Sequence, residues 1–324
     1  MTLTASLMHS TWSPDRPTSR GATAYHDAVV HASWHKENIN ELIEIVKEKI
    51  KPNDIVIDFG AGTGASTVYL LQSLKPTYSV ILMDNSASWL GKAYETLHNH
   101  KNVAFYMLGK KGNGFMTPND VLGKNAVDHV ISANTVHLIP HIEDTFRGIY
   151  AVLKRGGSFS FQSGNILRKD KENGVLMIDD TVKEIHDIAL EIIRTHKTFG
   201  RYAQDLDARI VAQADQRKVV FPDPRLVEYY VKMLKSVDFK NITVTYKKIK
   251  VKYDDWMNFV RVRRLQAGIL PEVGGKDATP QEERDRDDLI TKAANILFKK
   301  LKTQNPLANG QSFIAEWVYV QAKK

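Results

Sequence analysis

The chain contains no cysteine among its 324 residues. That absence excludes disulfides, thiolate nucleophiles and cysteine-ligated zinc or iron–sulfur centres. It also fits a reducing compartment, so a cytoplasmic protein is the expectation. Long apolar runs are missing too, and no stretch approaches the ~20 residues that a membrane-spanning helix needs. Met1–Ser10 has neither a basic start nor a continuous apolar segment, so it does not read as a signal peptide. Acidic charge is in the minority: 37 Asp and Glu face 45 Lys and Arg, a net charge of +8. Such an excess speaks first to solubility and non-specific attraction. The most basic stretch, Lys247-Lys248-Ile249-Lys250-Val251-Lys252, alternates charged and apolar residues, as an exposed edge strand does to avoid mispairing. It has none of the glycine–aromatic pattern of an RNA-binding strand. Neither nucleic acid nor a membrane is an expected partner.

What is present is enough for a substantial core. At 43% hydrophobic residues, a chain of this length makes one large domain or two modest ones. Residues 1–23, rich in Ser, Thr and Pro, read as a flexible arm. From Ala24 to Lys49 the apolar residues Ile39, Leu42, Ile43, Val46 and Ile50 keep to one helical face. Asp54–Asp58 then begins a short strand that is apolar on both faces, as the centre of a parallel sheet is. Ser66–Ser73 reads as helix, Ser79–Asp84 as strand, Ala87–His98 as helix, and Val103–Leu108 and Val127–Ser132 as strands. The helix Ile142–Leu153 ends in Lys154-Arg155-Gly156-Gly157, with glycine as its stop, before a strand at Ser158–Gln162. Strands alternating with helices predict an α/β fold with a doubly wound parallel sheet.

The rhythm breaks after Gly164. Residues 165–222 read as a helical insertion, a lid or an extension of the core, with Ile185, Ile188, Ala189, Ile192 and Ile193 as its apolar stripe. Residues 223–324 resume the alternation: helix Pro224–Leu234, strand Ile242–Val251, helix Asp254–Leu265, a charged, disorder-prone loop Pro271–Arg286, helix Leu289–Leu301 and strand Phe313–Val320.

Asp58-Phe59-Gly60-Ala61-Gly62-Thr63-Gly64 lies directly between a predicted strand and a predicted helix. Glycines there let the backbone turn tightly and a ligand approach closely, while the helix start presents unpaired N–H groups. Gly60, Gly62 and Ala65 also satisfy the dinucleotide fingerprint, so an NAD-dependent oxidoreductase is an alternative. Asp58 opposes it, because a carboxylate repels a pyrophosphate. A ligand carrying an ammonium group suits that acid better. Asp84, closing the second strand, can accept from two ribose hydroxyls in either case.

Ile55–Gly64 resembles motif I of the class I S-adenosylmethionine-dependent methyltransferases. Leu82-Met83-Asp84 resembles their motif II, Val127–Asn134 their motif IV, and Val152–Gly157 the turn before their fifth strand. The resemblance covers about residues 40–165, and Phe313–Val320 is similar to the antiparallel last strand of these enzymes. It implies a seven-stranded, mostly parallel, Rossmann-like sheet with residues 24–164 as the cofactor-binding core and S-adenosylmethionine as cofactor. Asp58, Gly60, Ala61, Gly62 and Gly64 would hold the methionine portion, Asp84 the ribose, Asn85 the adenine side, and Asn134 the methionine end. Where many members have a Gly-Asp-Ala-like adenine contact, this chain has Leu108-Gly109-Lys110-Lys111, and a lysine there could meet an anionic substrate group.

Methyl transfer from a sulfonium is an in-line displacement in which positioning supplies much of the rate. His137, just after the fourth strand, is the candidate general base, since imidazole titrates near neutrality. Tyr25, His26 and His141 are candidates for the substrate pocket. His137/His141 and His31/His35 have the i, i+4 spacing of metal ligands, but no third ligand accompanies either pair and no metal is expected. Trp256 and Phe259 could wall a planar substrate. No Asn/Asp-Pro-Pro-Tyr/Phe segment of nucleic-acid amino methylation is present. A small organic acceptor, methylated on oxygen, nitrogen or carbon, is the expectation, beside a non-catalytic S-adenosylmethionine-binding protein as a further alternative.

Overall fold

A computed structural model describes residues 11–324. Seven strands form one sheet in the order β6-β7-β5-β4-β1-β2-β3. They are β1 (Ile55–Phe59), β2 (Ser79–Asp84), β3 (Val103–Met107), β4 (Val127–Ala133), β5 (Leu153–Ser163), β6 (Lys240–Lys252) and β7 (Ser312–Lys323). Only β7 runs antiparallel to its neighbours. β1 is buried at every position because it is flanked by β2 and β4 and covered on both faces. The sheet is the mostly parallel, doubly wound one that the alternation predicts.

Helices α3 (Ala65–Ser73), α4 (Ala87–Leu97), the short α5 (Pro118–Leu122) and α6 (Ile142–Val152) lie in the connections between the parallel strands. The apolar residues fall into two clusters, one on each face. One contains Ile57, Phe146, Phe159 and Tyr230, and the other contains Leu42, Leu82, Trp256 and Trp317. The basic strand β6 is the sheet edge, and its outward lysines leave Ile249 and Val251 to face the core.

Several boundaries differ from the sequence reading. The amino-terminal helix is two, α1 (Arg20–Val30) and α2 (Ser33–Lys47), because the chain turns at His31 and Ala32. Residues 1–10 of the expected arm lie outside the described residues, but Thr11 and Trp12 are bound. Trp12 N–H donates to the Phe105 carbonyl at 2.7 Å, and Phe105 N–H donates to Thr11 Oγ1 at 2.8 Å. That pairing covers the outer edge of β3. Lys154–Gly157 belongs to β5 rather than to a helix end. A Cβ on Gly157 would stand 2.7 Å from the Asp128 carbonyl, so close strand approach, not helix termination, calls for this glycine.

The expected helix Pro224–Leu234 starts later, as α9 (Val227–Ser236), because Arg225–Leu226 pairs with Ile166–Leu167. Asp254–Leu265 splits into α10 (Tyr253–Val260) and α11 (Arg263–Ile269). The charged loop is ordered: α12 (Pro280–Gln304) begins inside it, capped by reciprocal bonds between Thr279 and Glu282. Arg286, buried, donates to the Val273 and Gly275 carbonyls at 3.2 and 2.8 Å.

Residues 165–222 carry α7 (Ile178–Thr195) and α8 (Leu206–Val220). Ile185, Ala189 and Ile193 of α7 are fully buried. α8 buries only Leu206, so it is held far more lightly than α7.

Candidate functional site

The parallel strands β1, β2, β4 and β5 deliver their carboxyl ends to one side of the sheet. The strand order reverses between β1 and β4, the place where open α/β sheets hold ligands. A cavity of about 1380 Å³ opens there, which exceeds the volume that a single small ligand usually fills.

The glycine loop forms one wall. Gly60, Gly62 and Gly64 all adopt positive φ, at 68°, 56° and 84°, which residues bearing a Cβ adopt at a cost. Gly60 has a second constraint, because a Cβ on it would meet Thr135 Cγ2 at 2.2 Å. Gly60, Ala61 and Gly62 line the cavity, whereas Gly64 does not. Gly64 instead caps α3 and packs closely on Ala93 and Leu97.

Asp84 ties the loop to the end of β2. Its Oδ2 accepts the Gly62 N–H at 2.8 Å and its Oδ1 the Ser86 N–H at 2.8 Å, while the carboxylate still borders the cavity. Burial raises its pKa, opposed by these bonds and by Arg264. Asn85 borders the cavity beside it and is exposed. Asp58 lies one layer deeper and is not part of the cavity wall. Its Oδ2 accepts from the Thr67 hydroxyl at 2.7 Å, and its Oδ1 is buried without a hydrogen-bond partner. Desolvation pushes its pKa up to about 7.

Asn134 follows β4 with φ 50° and accepts from the Trp317 indole at 3.3 Å. His137 lines the cavity, with Nδ1 2.9 Å from Ser163 Oγ. Its expected titration near neutrality is corrected here. Burial, with Arg225 nearby, lowers its pKa to about 3, so the imidazole is neutral and weakly basic. The Arg225 guanidinium is itself anchored on the His137 and Ile139 carbonyls at 2.9 and 2.8 Å.

Of the substrate-pocket candidates, Tyr25 and His141 line the cavity and His26 does not. Tyr25 lies against Trp89, ring centroids 4.3 Å apart. Neither histidine pair shares a helix face: His31 ends α1 while His35 lies in α2, and His137 lies in a single 3-10 turn before His141 caps α6. No group of three potential ligands gathers among the described residues. Lys110 and Lys111 sit on an exposed hairpin, and Lys111 pairs with Asp120 at 2.5 Å.

The far wall went unnoticed in the sequence. Trp34, His35 and Ile39 of α2, Phe221 after α8 and Trp317 of β7 line it together with Phe259 of α10. Of these, only Phe259 carried an aromatic-wall expectation. Trp256 packs behind, fully buried and stacked on Phe259 at 5.0 Å. Tryptophan and phenylalanine far apart in sequence give no periodic signal, so only the fold unites them.

Residues 50–219 match the methyltransferase domain family. The chain is similar to the carboxy-S-adenosyl-L-methionine synthase of Nautilia profundicola, at 25% identity over 70% of this chain and 83% of that protein. It is also similar to a highly reducing polyketide synthase of Emericella nidulans, at 28% identity over 34% of this chain but only 4% of that protein. Among solved structures it resembles the YcgJ protein of Bacillus subtilis. Their TM-score is 0.52 at 15% identity, over 90% of this chain and 99% of that one. A phosphoethanolamine N-methyltransferase of Haemonchus contortus has a TM-score of 0.50 at 16% identity, covering 100% of this chain and 60% of that one. These two likenesses show the shared sheet architecture. Of the two ligands that the glycine pattern admits, the family match selects the sulfonium. The chain belongs to the class I methyltransferase family and uses S-adenosylmethionine as its cofactor.

Proposed function

We propose that the protein methylates a small organic acceptor held in the aromatic chamber beside the glycine loop. One observation carries this reading: a single cavity runs from the Gly60–Gly62 backbone and Asp84 to the Trp34–Trp317 wall. Asn134 also lines this cavity and accepts from the Trp317 indole.

The residues suit the cofactor. Gly60 and Gly62 offer bare backbone, Asp84 offers carboxylate lone pairs to ribose hydroxyls, and the unpartnered Asp58 Oδ1 supplies negative charge behind the loop. A cation in the cavity would stabilise the ionised form of that buried acid. When bound, the cofactor supplies a methyl group already activated for displacement. The chain's own contribution is to position the acceptor and keep water out. His137, neutral and bonded to Ser163, orients a polar group more readily than it removes a proton. Helix α8, lightly held and ending at the cavity through Val219 and Val220, serves as the cover.

Calorimetric titration with S-adenosylhomocysteine, and separately with NAD, tests the cofactor half. Binding of the first alone supports the reading, and binding of NAD alone overturns it. Transfer of labelled methyl groups to small-molecule extracts then separates an enzyme from a protein that only binds the cofactor.

A further inference from the structure

Two residues that line the acceptor chamber carry buried polar atoms that the fold leaves unsatisfied. Trp34 is 4% exposed and His35 5% exposed, and both line the cavity. Trp34 Nε1 and His35 Nδ1 are buried with no hydrogen-bond partner. Buried polar groups in native proteins are nearly always paired, and each exception calls for a reason. A ligand that completes the pairing is such a reason.

The two rings are held firmly. Trp34 stacks on Trp317 with centroids 5.7 Å apart and meets Phe259 edge-on at 5.4 Å. His35 stands at 87° to Trp34, 5.5 Å away. Burial, with His26 nearby, lowers the His35 pKa to about 4, so its imidazole is neutral. The surrounding wall is apolar, made by Ile39, Phe221, Phe259 and Trp317. The charged side chains that reach the cavity lie elsewhere. Asp84 and Arg264, the latter 5.2 Å from the Trp89 ring, lie at the glycine-loop end, and others such as Lys111 and Asp120 lie along the hairpin rim.

The geometry points to Trp34 and His35 as the recognition pair for an uncharged acceptor with a flat apolar body and a hydroxyl or carbonyl handle. An indole N–H only donates, so the handle must offer a lone pair. A neutral imidazole donates or accepts according to its tautomer, so either handle satisfies it. A carboxylate, phosphate or ammonium would lose its water beside this apolar wall, which carries no charged side chain of its own. Stacked aromatic walls favour a planar body. This inference rests on the methyltransferase reading above and narrows its acceptor.

The full chain, saturated with S-adenosylhomocysteine, is titrated with 2-naphthol, naphthalene and 2-naphthoate. These share one flat body and carry a neutral handle, none and a charged one. The expected result is 2-naphthol binding about tenfold more tightly than either of the others, as one net hydrogen bond provides. Trp34→Phe and His35→Phe each shrink the advantage of 2-naphthol over naphthalene, while affinity for S-adenosylhomocysteine stays within about twofold of wild type. Thermal melts verify folding, and if one variant melts early, the other together with the wild-type series decides. Naphthoate binding as tightly as naphthol, an unchanged preference in a folded variant, or no binding of any of the three would overturn the recognition pair. Failure to bind S-adenosylhomocysteine would instead overturn the methyltransferase reading beneath it.

Discussion

The Thr135 hydroxyl donates to the Gly60 carbonyl at 3.0 Å, and the Thr135 methyl occupies the space that a Cβ on Gly60 would need. The residue after Asn134 thus locks the first glycine of the loop from the neighbouring strand's end. The relationship predicts that Gly60→Ala destabilises the protein by about 1–3 kcal/mol through positive-φ strain and overpacking. Cofactor affinity should fall with it. Adding Thr135→Gly should recover part of the stability but not all, since φ remains 68°. Thermal melts and calorimetry on the single and double variants check both statements.

Asp84 holds the loop N–H of Gly62 as well as facing the cavity. Its replacement therefore removes a ligand contact and loosens the wall that makes it. Asp84→Ala is expected to weaken S-adenosylhomocysteine binding by roughly 10–100-fold, the worth of hydrogen bonds to a charged group. Asp84→Asn, which keeps one acceptor oxygen, should lose less. Equal losses in the two variants would argue against this dual role.

Asp58 gives the protein a pH dependence. Burial raises its folded pKa to about 7, above the ~3.9 of an unfolded aspartate. The folded state then holds an extra proton between those values, so this group's contribution to stability declines as pH rises from about 4 to 7. Asp58→Asn should remove the decline, leaving a ligand-free variant that gains on the wild type as the pH is raised. Conversely, the wild type should bind S-adenosylhomocysteine, with its ammonium group, more tightly at pH 8 than at pH 6. Melting temperatures and titrations across that range measure both trends.

His35 and His137 should stay neutral throughout the physiological range. Their pKa values are lowered to about 4 and about 3 by burial. Their imidazole C–H resonances, assigned by comparison with His35→Phe and His137→Phe, are expected to hold constant between pH 5 and pH 8. A midpoint near 6.5 for His137 would restore it as a candidate general base.

The sequence made the sheet and half of the site legible, because their signals are local. Apolar runs such as Ile55-Val56-Ile57, a glycine loop directly after one of them, and Asp84 at the end of the next declare buried parallel strands and the loop between them. The family resemblance needed only those segments. Boundaries that depend on distant partners were missed. Gly157 reads as a helix stop until the Asp128 carbonyl is seen against it. Pro271–Arg286 reads as disordered because its order comes from buried side-chain bonds, such as His186 Nε2 to Glu272 Oε1 at 3.2 Å.

The sequence by itself determined the fold class, the cofactor family and which residues form the glycine loop, since each is written in contiguous residues of strong local preference. Tertiary structure alone decided the acceptor chamber. Trp34, Phe221, Phe259 and Trp317 are separated by long stretches of chain, and only the insertion of antiparallel β7 beside β5 brings Trp317 onto Trp34. Tertiary structure also decided the chemistry of the histidines. The position of His137 after the fourth strand suggested a base, whereas burial leaves His137 and His35 neutral, and the i, i+4 histidine pairs fall in separate turns. Ionisation depends on solvent exposure and neighbouring charge, and neither exists until the chain has folded.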